Sequence, residues 1–221
     1  MNACLFSIVT TAILAGCAAV AAPTGIPEED EGQIVISGNL TVLQALESHV
    51  PRLERSAVKA VVFQDCFGGQ IGGVDAISEV IRRRGLRTQA RGTVASGCAL
   101  AFLAADRRSL SRDPSVNTKL VLHGTYTVGE NGSRELSKTD IEELSAYINS
   151  RTRGRISNAI AIHIASIPDY RDGLTVYANS IEFEGVSANV VLCDRVRPLK
   201  GKPCTVLTGA DALSLGLEMP E

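Results

Sequence analysis

Three short stretches of this chain carry residue types suited to acyl transfer: Gly68-Gly69, Ser96-Gly97-Cys98 and His123. A serine hydroxyl is a weak nucleophile until a hydrogen-bonded base removes its proton, and an imidazole titrates near neutrality. Glycine lets a backbone amide come close to a developing oxyanion with no side chain in the way. Taken singly, each stretch has a plainer reading. Ser96 would be a helix N-cap, His123 a strand-end histidine satisfied by backbone, and Gly68-Gly69 a turn. The combination means more than its parts, provided the fold brings the three together.

The elements around them have that capacity. Gln33 to Ser37 and Val58 to Phe63 are β-branched or apolar runs that read as strands, as do Thr88 to Val94 and Leu120 to Leu122. Thr41 and Gln44 open a helix that Pro51 should kink or end. Val74, Ile77, Val80 and Ile81 recur at helical spacing, and that helix gathers Arg82-Arg83-Arg84 before stopping at Gly85. Gly72-Gly73 before it reads as a turn. Ala95 to Ala105 is an alanine-rich buried helix, and Ser137 with Asp140 caps another carrying Ile141, Leu144 and Ile148. Ile156 to Ile167 reads as a helix, Ile181 to Cys193 as strand-rich and Ala210 to Leu215 as helical. Strand and helix alternating in this order predict an α/β fold with a mostly parallel sheet. In such a sheet the C-terminal strand ends and the helix N-termini share one edge, which is where the glycines, the serine and the histidine all fall.

Composition narrows the function. The 221 residues are 45% hydrophobic and 21% charged with a net charge of −2 and only 4% aromatic, so neither a basic footprint nor a base-stacking platform is present, and no nucleic-acid partner is expected. No cofactor is expected either, because no glycine pattern matches a Walker or dinucleotide fingerprint. Cys66, Cys98, Cys193 and Cys204 lack C-x-x-C spacing, which disfavours a zinc site. Cys193 and Cys204 flank a Pro- and Lys-containing loop that a disulfide could staple, leaving Cys66 to pair with Cys98; free buried thiols are the alternative.

Residues 1–22 read as an export signal, 23–32 as a linker and 33–221 as the folded domain. Leu14-Ala15-Gly16-Cys17 resembles a lipobox, which would make Cys17 a lipidated N-terminus. No basic residue precedes the apolar run, and ordinary cleavage near Ala22 or an uncleaved anchor are the other readings. The destination expected is the periplasm, free or as a membrane-anchored lipoprotein.

A strand followed by Gly68-Gly69, a helix ending Arg82-Arg83-Arg84-Gly85, the run Ala95-Ser96-Gly97-Cys98-Ala99-Leu100, and then Val121-Leu122-His123 resemble the proteolytic subunit of the Clp protease, and more closely its exported relatives. The resemblance runs from about Ile34 to Leu217 and implies the ββα spiral of the ClpP/crotonase group. It further implies a serine peptidase acting on short or unfolded peptides, with Ser96 as nucleophile and His123 as base. Gly68, Gly69 and Gly97 form the oxyanion hole, and a homo-oligomer is implied as well. Two departures stand out. Cys66-Phe67 replaces the Ser-Pro that the family commonly has before the glycines, and aligning Leu207 to Leu217 puts Cys204 where the triad aspartate belongs. Asp169, Asp172 and Asp194 are the candidate substitutes, with Asp172 and Asp194 ranked first. The alternative from another class is a silent envelope protein that uses the same fold for binding or assembly. An acyl-CoA enzyme of the crotonase type is disfavoured by the export signal.

Overall fold

The computed structural model describes residues 32–128, 133–169, 171–198 and 201–219. The proposed export signal, Cys17 and most of the linker lie outside them. In chain order the elements begin with β1 (Gln33–Leu40), then a continuous helical run made of α1 (Val42–Gln44), a π-helical turn (Ala45–His49) and α2 (Val50–Leu53). Next come β2 (Ala60–Gly69), α3 (Ile71–Arg84), β3 (Arg87–Ala95), α4 (Gly97–Leu103), β4 (Arg108–Leu110) and β5 (Lys119–Leu122). A small ribbon of β6 (Thr127–Val128) and β7 (Arg134–Glu135) leads to α5 (Lys138–Arg151) and α6 (Asn158–Ala165). The chain finishes with β8 (Gly173–Phe183), β9 (Val186–Cys193) and β10 (Cys204–Val206).

One sheet of eight strands organises the molecule in the order β1-β2-β3-β5-β8-β9-β10, with β4 also on β3. The pairings from β1 through β5 are all parallel, and those from β5 through β10 are all antiparallel. The expectation of a mostly parallel sheet therefore holds for the first half only. The physical reason is connection length: β8 and β9 are joined by the tight turn Glu184-Gly185, both at positive φ, and a two-residue loop can join only antiparallel strands. In the parallel half Ala60, Val61, Val62 and Phe63 are all buried, as strands covered on both faces must be. α3 seals one side with Val74, Ile77, Val80 and Ile81, while every residue of α4 is buried.

Local chemistry explains the boundaries. Thr41 Oγ1 accepts from Gln44 N at 3.1 Å, and Ser137 with Asp140 forms the full capping box of α5. Gly85, at φ 61°, ends α3 in the left-handed conformation. Pro51 does not end the helical run; it stands where the π-helical turn passes into α2. Gly72-Gly73 is not a turn but the first turn of α3. A Cβ on Gly73 would stand 2.9 Å from Thr41 O, so its bareness serves close packing. Residues 210–215 form turns rather than a helix.

That C-terminal segment is held by two buried charges. Arg108, 2% exposed, donates to the carbonyls of Leu103, Ala105, Arg151, Gly216 and Leu217. Burial, aided by Arg151, lowers its pKa to about 10. Glu218 accepts from Leu110 N at 2.9 Å and pairs with Arg112 at 2.6 Å.

Candidate active site

Ser96 stands between β3 and α4 with φ 55° and ψ −130°. An L-residue with a side chain rarely adopts that backbone, and it persists only where surroundings hold it. Here Ser96 N donates to Val121 O at 3.0 Å, and Ser96 O accepts from Leu100 N at 3.1 Å, so the turn is pinned by β5 on one side and by the helix it starts on the other. The result is a sharp strand-to-helix turn that carries a hydroxyl at its apex.

The glycines pack directly against this turn. Gly68 and Gly69 end β2 with φ of 126° and 154°. A Cβ on Gly68 would lie 2.8 Å from Ser96 Cβ and 3.1 Å from its Oγ. One on Gly69 would lie 2.0 Å from Leu40 O, and one on Gly97 would lie 2.5 Å from Val74 Cγ2 and 3.5 Å from Gly69 N. No side chain fits at any of the three positions, and the peptide edges of residues 68–69 and 97 meet beside the serine. The amide of Gly97, the first of its helix, has no intrahelical acceptor.

A disulfide fastens the same two edges. Cys66 on β2 is bonded to Cys98 on α4, and Gly68 N donates to Cys98 Sγ at 3.2 Å. Cys193 is bonded to Cys204 across the β9/β10 ladder. Both sequence-derived pairings are therefore present. Cys204, the residue aligned with the triad acid, is covalently occupied in a hairpin.

His123 follows β5 and is buried. Gly124 N donates to Ile167 O at 2.8 Å, and a Cβ on Gly124 would strike Ala165 O at 2.3 Å, so the chain after the histidine lies tight against the end of α6. From the other side Gly173 packs so close that its Cβ would stand 3.0 Å from His123 Cβ. His123 Nδ1 is 2.8 Å from Gly124 O. A carbonyl can only accept, so the proton of this contact sits on Nδ1 and Nε2 is the basic nitrogen. The Tyr126 ring stacks near the imidazole with centroids 6.4 Å apart.

These residues share one cleft of about 420 Å³, lined by Ser96, His123, Gly69 and Gly97 together with Phe67 and Tyr126. Gly68 is buried behind it. Among the described residues Ser96 and His123 face the cleft without a hydrogen bond between them.

The candidate acids separate. Asp172 is buried and immediately precedes Gly173, the residue against His123. Its Oδ2 accepts from Arg195 N at 3.0 Å, and its Oδ1 is 3.4 Å from Arg195 Nε without a hydrogen bond. Asp194 is turned elsewhere: it accepts from Val196 N and Arg197 N and stands 3.5 Å from His163 Nε2. Asp169 pairs with Arg171 at 2.8 Å. No sequence motif surrounds His163, and its carboxylate neighbour is not legible there, because the pair joins α6 to the residue that follows β9. Among the described residues no group of His, Cys, Asp and Glu has the makings of a metal site, and no helix is long and apolar enough to cross a membrane.

No family model and no curated protein matches the chain. Solved structures similar to it include a variant of a membrane-bound stomatin-specific protease, at 15% identity and TM-score 0.47, covering 62% of this chain and 70% of that one. A ClpP1 variant from Listeria monocytogenes is similar at 19% identity and TM-score 0.38, over 63% of this chain and 80% of that one. An enoyl-CoA hydratase/isomerase family member is similar at 17% identity and TM-score 0.39, over 62% and 59%.

Proposed function

We propose that the protein is a serine hydrolase, a peptidase for short or unfolded peptides that works through an acyl-enzyme on Ser96. The observation that carries this reading is the Ser96 backbone. A strained φ of 55° at a strand-to-helix apex, opening on a cleft that also holds an imidazole and two glycine edges, has no purpose in an ordinary N-cap. In the reaction His123 Nε2 takes the Ser96 proton as Oγ adds to the scissile carbonyl. The amides of Gly69 and Gly97 receive the resulting oxyanion, with Gly68 permitting the approach. The C–N bond then breaks, the imidazolium proton leaves with the amine, and water, deprotonated by His123, hydrolyses the ester.

The Gly124 carbonyl supplies part of what a triad acid supplies, since it fixes the tautomer. Asp172 is the carboxylate of choice for stabilising the imidazolium, because its backbone neighbour touches His123 and one of its oxygens makes no hydrogen bond. Asp194 Oδ2 also makes no hydrogen bond, but it lies 3.5 Å from His163 Nε2, and its Oδ1 holds the turn that follows. A fluorophosphonate probe tests the proposal: the folded protein should label and Ser96→Ala should not. Equal labelling of the two, or none of either, removes it.

A second reading has one observation in its favour: no hydrogen bond joins Ser96 to His123 as the cleft stands. Unliganded sites are often this loose. If the two side chains never meet, the cleft serves binding or assembly in the envelope.

Two disulfides fit an oxidising destination. Export through residues 1–22, lipidation of Cys17 and a homo-oligomeric state complete the proposal. Labelled fatty acid entering the wild type but not Cys17→Ala checks the anchor, and sedimentation checks the assembly.

A further inference from the structure

The cleft that holds Ser96 adjoins a second cavity of about 290 Å³ between α3, α4 and α5, and Ile71 and Thr125 line both. That volume is small for a whole ligand and ample for one long side chain. Val74, Leu100 and Leu144 make its walls apolar. Ser78 also lines it and is 5% exposed. Its hydroxyl offers an occupant both a donor and an acceptor.

The charge around the cavity is one-sided. Asp75, Asp140 and Glu143 line it, against the single cation Arg82. Arg82 is already paired with Glu79 at 2.6 Å, and Asp140 is engaged with Ser137 N at the start of α5. Asp75 and Glu143 make no ion pair among the described residues, and they stand exposed on α3 and α5. An apolar shaft with a hydroxyl and two carboxylates that make no ion pair among the described residues matches an aliphatic stem ending in a cation.

We propose that this cavity is the specificity pocket for the residue on the acyl side of the scissile bond, and that it selects lysine or arginine. The inference rests on the hydrolase reading of Ser96 and adds what that reading leaves open, the substrate class. The stem lies on Val74, Leu100 and Leu144, while the charged end faces Asp75 and Glu143 and donates to Ser78 Oγ. A leucine fills the shaft but leaves the hydroxyl and the carboxylates unanswered; a glutamate is repelled.

The test uses the full chain and peptidyl-aminomethylcoumarin substrates identical except for Lys, Arg, Leu or Glu next to the fluorophore. kcat/KM for Lys and Arg should exceed that for Leu by at least about tenfold and that for Glu by about a hundredfold. Asp75→Asn combined with Glu143→Gln should erase the preference for Lys over Leu. It should leave cleavage of the Leu substrate and fluorophosphonate labelling within about twofold, which also shows that the double variant folds. Leucine cleaved as well as lysine, or a preference that survives the double variant, overturns the pocket assignment. If the probe never labels Ser96, the hydrolase reading falls separately. The pocket is then read by calorimetric binding of the same Lys and Leu peptides to Ser96→Ala, where equal affinity overturns it.

Discussion

The two disulfides close loops at opposite ends of the sheet and hold very different things. Cys66–Cys98 spans 32 residues and ties β2, which carries Gly68 and Gly69, to α4, which starts at Gly97. Cys193–Cys204 spans 11 residues and joins two positions that already face each other in the β9/β10 register. Each limits the unfolded chain, and on loop-closure entropy alone the longer loop is worth about 4 kcal/mol and the shorter about 3 kcal/mol. In the folded state their duties diverge. The second repeats a constraint that backbone hydrogen bonds supply, whereas the first is a direct covalent tie between the glycine edge and the nucleophile helix. A crosslink can thus be equally useful to stability and yet matter to chemistry at one end only.

The largest effect should come from replacing Cys66 and Cys98 together by Ala. Stability should fall by about 4 kcal/mol. At a temperature where circular dichroism still reports a folded chain, the fluorophosphonate labelling rate of Ser96 should drop at least about tenfold, because a misplacement of the order of an ångström costs more than that. The matching Cys193→Ala, Cys204→Ala protein should lose about 3 kcal/mol in denaturant titration and label at the parental rate within about twofold. Equal effects of both pairs on labelling would break the contrast.

Single glycines sharpen it at smaller scale. Gly68→Ala forces a side chain into φ 126° with its Cβ 2.8 Å from Ser96 Cβ, while Gly209→Ala meets φ 76° but nothing within 4 Å. The second substitution should cost about 1 kcal/mol through backbone conformation alone. The first should cost about 1–3 kcal/mol and lower labelling as well, since the residue that must yield is the nucleophile. Thermal melts read the first quantity and the probe reads the second.

How much of this was legible in the sequence depended on how local each signal is. Ser137-x-x-Asp140, the three arginines before Gly85 and the β-branched runs all act within a few residues of themselves, and those elements appear where the sequence puts them. Ser96, His123 and the glycines were legible as a set, and Ser96, His123, Gly69 and Gly97 line one cleft with Gly68 behind it. The cysteine pairs followed from loop reasoning. Four features did not follow. Gly72-Gly73 reads as a turn by composition, and only the nearness of Thr41 O explains its place inside a helix. Residues 210–215 have helical spacing but run into a segment, Gly216 to Glu218, pinned by Arg108 and Leu110 from about a hundred positions away. The antiparallel half of the sheet depends on a two-residue turn that the strand-rich run concealed. The choice between Asp172 and Asp194 depends on which of two neighbouring strand ends lies against His123, and sequence spacing carries no such information.

Acid should tell the two ends apart with the smallest effect of all. His49, in the π-helical turn that packs beside α3 on the Ser96 side, is buried, and neither ring nitrogen has a hydrogen bond among the described residues. Burial lowers its pKa below the usual 6.5. The unfolded chain therefore binds a proton before the folded one does, so stability is complete above about pH 6.5 and is lost as pH falls below it. One proton sets the limit at about 1.4 kcal/mol per pH unit. At the other end His163 Nε2 lies 3.5 Å from Asp194 Oδ2. Melting temperatures at pH 7.5 and 5.5 should therefore differ less in His49→Leu than in the parent. A parent and a His49→Leu protein that lose the same number of degrees would show that this buried imidazole is not what makes the Ser96 side acid-sensitive.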